Sequence, residues 1–257
     1  MDVVPNTFLH NKYPSRGNIK VDEKMVRIPS FYYGKGITAV FPVSYKKIVK
    51  LVNSNYIKPA RLSFSKALVN ITIFDFYESP VGPYTEMVIT VPVYNNPKIN
   101  FPFLPLFFNK FSNKFGFHVL DIFQNTKIAV NHGDLLTGYP HNNHLINVKF
   151  CDENGAGTFV TVFDEAGTIL SLSAVTHGVS KKTQNSYMTY YEKDEELYRI
   201  QMDVYAIEQK LSKCKIVYSD HPLMKWLCDL IDSDTSIQSS FYSDIVEVNP
   251  VTHEKLS

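Results

Sequence analysis

Alternation of apolar and polar side chains dominates this chain, and helical spacing appears in two places. From Ala67 to Glu78, Val69, Ile71 and Ile73 alternate with Asn70 and Thr72, while Leu68, Phe74 and Phe76 make both faces partly apolar. From Tyr84 to Val93, Met87, Ile89, Val91 and Val93 share one face, and Tyr84, Glu86 and Val88 share the other. The intervening Ser79-Pro80-Val81-Gly82-Pro83 predicts a turn and makes the two runs a hairpin. Further strands are predicted over Phe117–Phe123, Leu145–Cys151, Thr158–Phe163, Thr168–Val175 and Tyr198–Ile207. Asn154-Gly155 and Ala166-Gly167 supply turns, and a polar stretch from Thr176 to Asp194 precedes the last strand.

Helical spacing begins after Ser44, a candidate cap, with Tyr45, Ile48, Val49 and Val52 at i, i+3, i+4 and i+7 and a stop at Asn53-Ser54-Asn55. Near the end, Asp220 caps a second short helix with Pro222 in its first turn; Met224, Leu227, Cys228 and Ile231 form its buried stripe. Pro5, Pro14, Gly17, Pro29, Gly34 and Gly36 give the first 36 or so residues the character of an extended, wrapping arm. Residues 94–114 place Pro97, Pro102 and Pro105 among many Phe and Asn, which predicts a loop or lid. No repeat and no long linker divides the chain, so residues 1–257 are read as one mainly β domain with a few short helices.

Composition sharpens this picture modestly. Eighteen Phe and 16 Tyr against one Trp favour pleated, half-buried surfaces. Twenty-six basic and 25 acidic residues give a net charge of +1, which argues against a nucleic-acid partner. No apolar run approaches a membrane span, and Met1-Asp2-Val3-Val4-Pro5 lacks the pattern of a secretory signal, so the expected setting is cytoplasmic with no membrane partner. Cys151, Cys214 and Cys228 are odd in number and lack C-x-x-C spacing, which fits reduced thiols. No nucleotide or hydrolase fingerprint occurs, and no cofactor is implied.

Four stretches, in order, resemble the acetoacetate decarboxylase superfamily. They are the helix Ser44–Asn53 leading through Pro59; Val81-Gly82-Pro83-Tyr84-Thr85-Glu86; Ile128–Pro140, a helical approach to the turn Gly138-Tyr139-Pro140; and Ser219-Asp220-His221-Pro222-Leu223 with Leu227. Together they span roughly residues 40–245, and their order is more specific than any one of them. The resemblance implies an antiparallel β-cone or double barrel enclosing a small cavity, usually within a homo-oligomer. It also implies a cavity glutamate at Glu86. In the family's decarboxylases two lysines follow the turn; the first forms a Schiff base and the second lowers its pKa. Here those positions are His141 and Asn142, neither of which can form the iminium.

The expected function is therefore a small-molecule protein that binds or transforms a small carbonyl or carboxylate compound without Schiff-base chemistry. Glu86 and His141 are the candidate catalytic pair, because a buried carboxyl and an imidazole can exchange protons near neutrality. Tyr84, Tyr139, Asn142, His144 and Arg61 are the candidate substrate contacts, with Arg16 an alternative for the family's cavity arginine. His132, Asp134, His141 and His144 could be read as a metal cluster, but turn residues that favour polar side chains explain them better, and no metal is assigned. A ligand-binding or scaffolding pseudoenzyme is the alternative function. An active decarboxylase with a displaced lysine is a third; Lys149 is the nearest downstream lysine, yet it alternates with the polar set of its strand.

Overall fold

The computed structural model describes residues 4, 6–97, 100, 102, 114–152 and 157–256. The Asn154-Gly155 turn, and all of the predicted lid except residues 94–97, 100, 102 and 114, lie outside the described residues. Helix α1 (Asn6–Lys12) is followed by a hairpin of β1 (Asn18–Val21) and β2 (Lys24–Arg27). Then come β3 (Ser30–Ser44), α2 (Tyr45–Val52), β4 (Ile57–Pro59), β5 (Lys66–Glu78), β6 (Tyr84–Asn95), β7 (Phe115–Gln124) and α3 (Lys127–Leu136). The second half holds β8 (Asn147–Asp152), β9 (Thr158–Asp164), β10 (Gly167–Ala174), β11 (Thr176–Lys193), β12 (Glu196–Leu211) and β13 (Lys215–Tyr218). A 3-10 turn at Pro222–Met224, α4 (Lys225–Leu230) and β14 (Gln238–Lys255) complete it.

Eight strands form one sheet in the order β4-β6-β5-β3-β14-β12-β11-β7, and β7 also pairs with β6, so the sheet closes on itself. Closure leaves an inside and an outside, and side chains alternate between them. Ile71 and Ile73 of β5 and Met87, Ile89 and Val91 of β6 point outward into the main core, fully buried. There they meet Val160 and Val162 of β9 and Leu170 and Leu172 of β10 from a second sheet, ordered β13-β10-β9-β8. The main core thus lies between barrel and second sheet, while Asn70 and Thr72 of β5, Glu86 and Thr90 of β6 and Glu247 of β14 face the interior among apolar neighbours such as Phe117, Val119 and Val204. The family's all-antiparallel expectation needs one amendment, since β7 and β11 pair in parallel at Thr189↔Phe117 and Tyr190↔His118.

Ser44 accepts from the Lys47 amide as the cap of α2, and Asn53 ends that helix in the left-handed region, both as the sequence predicts. The predicted cap of the late helix is corrected by one residue: His221 accepts from the Leu223 amide at the 3-10 turn that precedes α4. Residues 1–36, predicted as an extended arm, carry α1, the β1–β2 hairpin and the start of β3. Leu9 of α1 is buried against Tyr205, Val246 and Val248, while Val21 and Val26 of the hairpin pack with Phe76, Ala129 and Leu136 at the α3 end of the barrel. No helix among the described residues is long and apolar enough to cross a membrane.

The closing strand depends on Gly116, where a Cβ would stand 2.4 Å from the Met188 carbonyl oxygen and 2.6 Å from the Tyr190 ring. Overpacking a site walled by backbone costs about 1–3 kcal/mol. Gly116→Ala should lower the thermal midpoint by about 2–10 °C. An unchanged midpoint would contradict the close approach of β7 to β11.

Candidate functional site

The barrel interior contains a cavity of about 200 Å³, room for a small organic molecule. Register grades its wall. Asn70 faces Thr90; two residues along, Thr72 faces Thr38 and Val88; two further, Phe74 stands opposite Glu86. On the other flank, Glu247 of β14 is paired with Tyr32 of β3 and Val204 of β12, and all three line the cavity. Ala129, His132, Gly133 and Leu136 of α3 contribute further lining. That helix is held at its start by Thr126, whose hydroxyl accepts from the Ala129 amide.

Two carboxyl groups dominate the chemistry. Glu86 Oε2 accepts from Gln124 Nε2 at 2.6 Å, and Glu247 Oε1 accepts from Asn249 Nδ2 at 3.3 Å. Burial raises the Glu86 pKa from an ordinary 4.5 to about 8; the charge of Glu247 adds to the shift, and the Gln124 hydrogen bond opposes it. Burial likewise raises Glu247 to about 7, against the hydrogen bond from Asn249. Glu86 is half-buried and lines the cavity. Tyr32 and Tyr84, both buried, have pKa values pushed well above the usual phenol by burial, so they remain neutral hydrogen-bond donors.

Two histidines reach the same space. His141 Nδ1 lies 3.0 Å from both the Tyr139 carbonyl oxygen and Asp134 Oδ1. Both partners can only accept, which places the ring hydrogen on Nδ1. Burial lowers the His141 pKa, and the Asp134 charge opposes that shift. The ring packs so tightly on Gly133 that a Cβ there would meet His141 Nε2 at 2.1 Å. His132, 2% exposed and stacked 6.0 Å from Tyr32, has its pKa lowered to about 4 by burial and then by the His141 charge; its Nε2 has no protein partner.

Of the residues singled out in the sequence, Glu86, His141, Tyr84 and Tyr139 come together around the cavity. Asn142, His144 and Arg61 do not. At Gly138 a φ of +78° favours glycine; beyond it Tyr139 and His141 line the cavity and Asn142 does not. Asn142 Nδ2 donates to Asp121 at 3.3 Å. His144 Nε2 sits 2.6 Å from Asp164 Oδ2, which also lies 3.0 Å from His221 Nε2. Arg61 stacks 3.8 Å over the Tyr45 ring and donates to the Phe64 carbonyl. Arg16 donates to the Pro250 carbonyl, and Lys149 is exposed on β8. Among the described residues lining the cavity there is neither lysine nor arginine, and among those described none of the His, Cys, Asp and Glu groups is arranged to hold a metal ion.

Glu247, Asn249 and Gln124 are cavity residues that sequence reasoning missed. Their signal was present: Ile245, Glu247 and Asn249 alternate with Val246 and Val248, a strand pattern with a charged residue on one face. Gln124 follows directly on the predicted strand Phe117–Phe123.

Comparison with solved structures places the fold. An acetoacetate decarboxylase structure aligns over 89% of each chain with a TM-score of 0.63 at 14% identity. Acetoacetate decarboxylase from Legionella pneumophila subsp. pneumophila str. Philadelphia 1 aligns over 97% of this chain and 95% of its own, with a TM-score of 0.66 at 10% identity. The enduracididine biosynthesis enzyme MppR, complexed with the condensation product of pyruvate and imidazole 4-carboxaldehyde, covers 89% of each chain with a TM-score of 0.61 at 9% identity. No family model and no curated protein matches the chain. The fold is acetoacetate decarboxylase-like.

The carboxyl pair makes stability depend on pH. Between about pH 4.5 and pH 8 the folded protein retains protons that the unfolded chain releases, so stability falls as pH rises through that window. Glu86→Gln should flatten the decline, by at most about 1.4 kcal/mol per pH unit. Denaturant melts at several pH values measure this; equal slopes in the two proteins would contradict a protonated Glu86.

Proposed function

We propose that the cavity performs acid–base chemistry on a small, neutral carbonyl compound, with Glu86 as the group that moves the proton. The observation carrying this reading is a buried carboxyl, its pKa raised to about 8, lining a cavity with no lysine or arginine among its described residues. Such a group is matched to neutral pH: its ionised fraction can take a proton from carbon next to a carbonyl, and its protonated form can return it. Negative charge developing on the carbonyl oxygen would be met by the phenol hydrogens of Tyr84 or Tyr32. Tyr139 is less free to act, because its hydroxyl is paired with Thr189. A free carboxylate ligand would enter among acidic groups with no counter-cation, which favours neutral carbonyl compounds.

Loss of the Schiff-base step is supported by His141 and Asn142 after Gly138-Tyr139-Pro140. The solved neighbour bearing a pyruvate condensation product supports carbonyl chemistry as a use of this fold. Free thiols at Cys151, Cys214 and Cys228 support a reducing, cytoplasmic setting. Ligand binding without turnover is the second reading, favoured by His141, whose ring hydrogen is held by Asp134 and Tyr139.

Butanone incubated with the protein in D₂O tests the proposal by proton NMR. Protein-dependent loss of the signal next to the carbonyl is expected, slowed about a hundredfold in Glu86→Gln. Exchange at the same rate in both proteins would remove Glu86 from the mechanism. Borohydride treatment with acetoacetate should leave every lysine unmodified; a stable lysine adduct would restore the Schiff-base reading.

A further inference from the structure

Along the shared register of β3, β5 and β6 the cavity lining changes character level by level. Glu86 and Phe74 stand at one level, Thr72, Thr38 and Val88 two residues further, and Asn70 and Thr90 two further again. At about 3.3 Å per residue the threonine level lies about 7 Å from Glu86, and the Asn70 level about 13 Å. Thr38 and Thr72 are half-buried, and their hydroxyls share one hydrogen bond at 3.1 Å. Two hydroxyls that share one bond keep acceptor positions to spare. Tyr242, another hydroxyl of the lining, stands within hydrogen-bonding reach of Thr38. On β6 and β7 the same level is apolar, held by the paired Val88 and Ile122.

Size selects which level a ligand reaches. A cavity of about 150 Å³ holds benzene, so one of about 200 Å³ holds a ligand of about eight non-hydrogen atoms. Extended, an unbranched chain of that size spans about 9 Å, enough to reach the threonine level from Glu86 and too short for Asn70. We infer that the ligand is an elongated, neutral carbonyl compound with a hydroxyl about 7 Å from its carbonyl, and that Thr38 and Thr72 receive that hydroxyl. A ligand hydroxyl donates and accepts, which matches a pair of threonine hydroxyls. An ionised carboxylate at that end finds no counter-cation, because neither lysine nor arginine stands among the described lining residues. Val88 and Ile122 flank the methylene groups between the two polar ends. This inference rests on the reading of the cavity as a site for a small neutral carbonyl compound, and it names what else that compound carries.

Isothermal titration of the full chain at neutral pH tests it with octan-2-one, 7-hydroxyheptan-2-one and 6-oxoheptanoate, probes matched in length that differ at the far end. The hydroxyketone is expected to bind about tenfold more tightly than either of the others. Thr72→Val, which keeps the side chain's shape and is checked for folding by circular dichroism, should bring the hydroxyketone down to the affinity of octanone. Thr38→Val should act likewise. Equal affinity for hydroxyketone and octanone, tighter binding of the oxo acid, no binding of any probe, or a preference that survives both substitutions would overturn the inference. Deuterium exchange beside the carbonyl of the same probes separates the inference from the reading beneath it. Exchange without a hydroxyl preference removes the inference and leaves the acid–base reading; a preference without exchange keeps the hydroxyl subsite and removes that reading.

Discussion

Strand β7 hydrogen-bonds to β6 on one side and to β11 on the other, and this double pairing converts an open sheet into a wall with an interior. Every other property of the site depends on that closure. With the sheet closed, strand alternation sorts β6 into Met87, Ile89 and Val91 against the second sheet and Tyr84, Glu86 and Val88 around the cavity. The usual relation of barrel and core is thereby turned outward. Hydrophobic burial that stabilises the domain lies between barrel and second sheet, which leaves the interior free for polar groups that a dry core could not hold.

Those polar groups behave as they do because water is scarce around them. A carboxyl in such surroundings keeps its proton, and a second one nearby strengthens the effect, so Glu86 and Glu247 titrate as a pair in the neutral range. Histidine responds in the opposite sense: His132 and His141 are held neutral by the same burial. The interior thus carries little charge near neutral pH and can exchange protons there. In this chain the two carboxyls lining the cavity stand on β6 and β14, and the turn after α3 carries His141 and Asn142.

Much of this was legible in the sequence wherever one face of an element is buried. The helix after Ser44 and the hairpin of β5 and β6 announce themselves because their apolar stripes meet a core. The ordered motifs around Glu86 and Gly138-Tyr139-Pro140 indicated the fold, and Glu86 and Tyr139 line its cavity. Strand β11 was invisible for a physical reason: residues 177–182 are exposed and, Val179 apart, not apolar, so nothing in their pattern signals the strand that pairs with β12. Glu247 was missed because β14 is long and twice irregular in its pairing with β12, which breaks simple periodicity before the Ile245–Asn249 stretch completes it. Asn142 and His144 lie off the cavity because sequence proximity does not fix which side of a wall a side chain takes, and Arg61 is stacked on Tyr45.

The central claim is that two carboxyl groups in this cavity carry protons at neutral pH where lysines would otherwise work. Carbon-13 NMR of carboxyl-labelled glutamate, with Glu86→Gln and Glu247→Gln assigning the signals, measures it directly. The account predicts two carboxyl resonances whose apparent pKa values lie near 7 and 8, with removal of either glutamate lowering the value of the other. Both resonances titrating near 4.5, independently of one another, would contradict it.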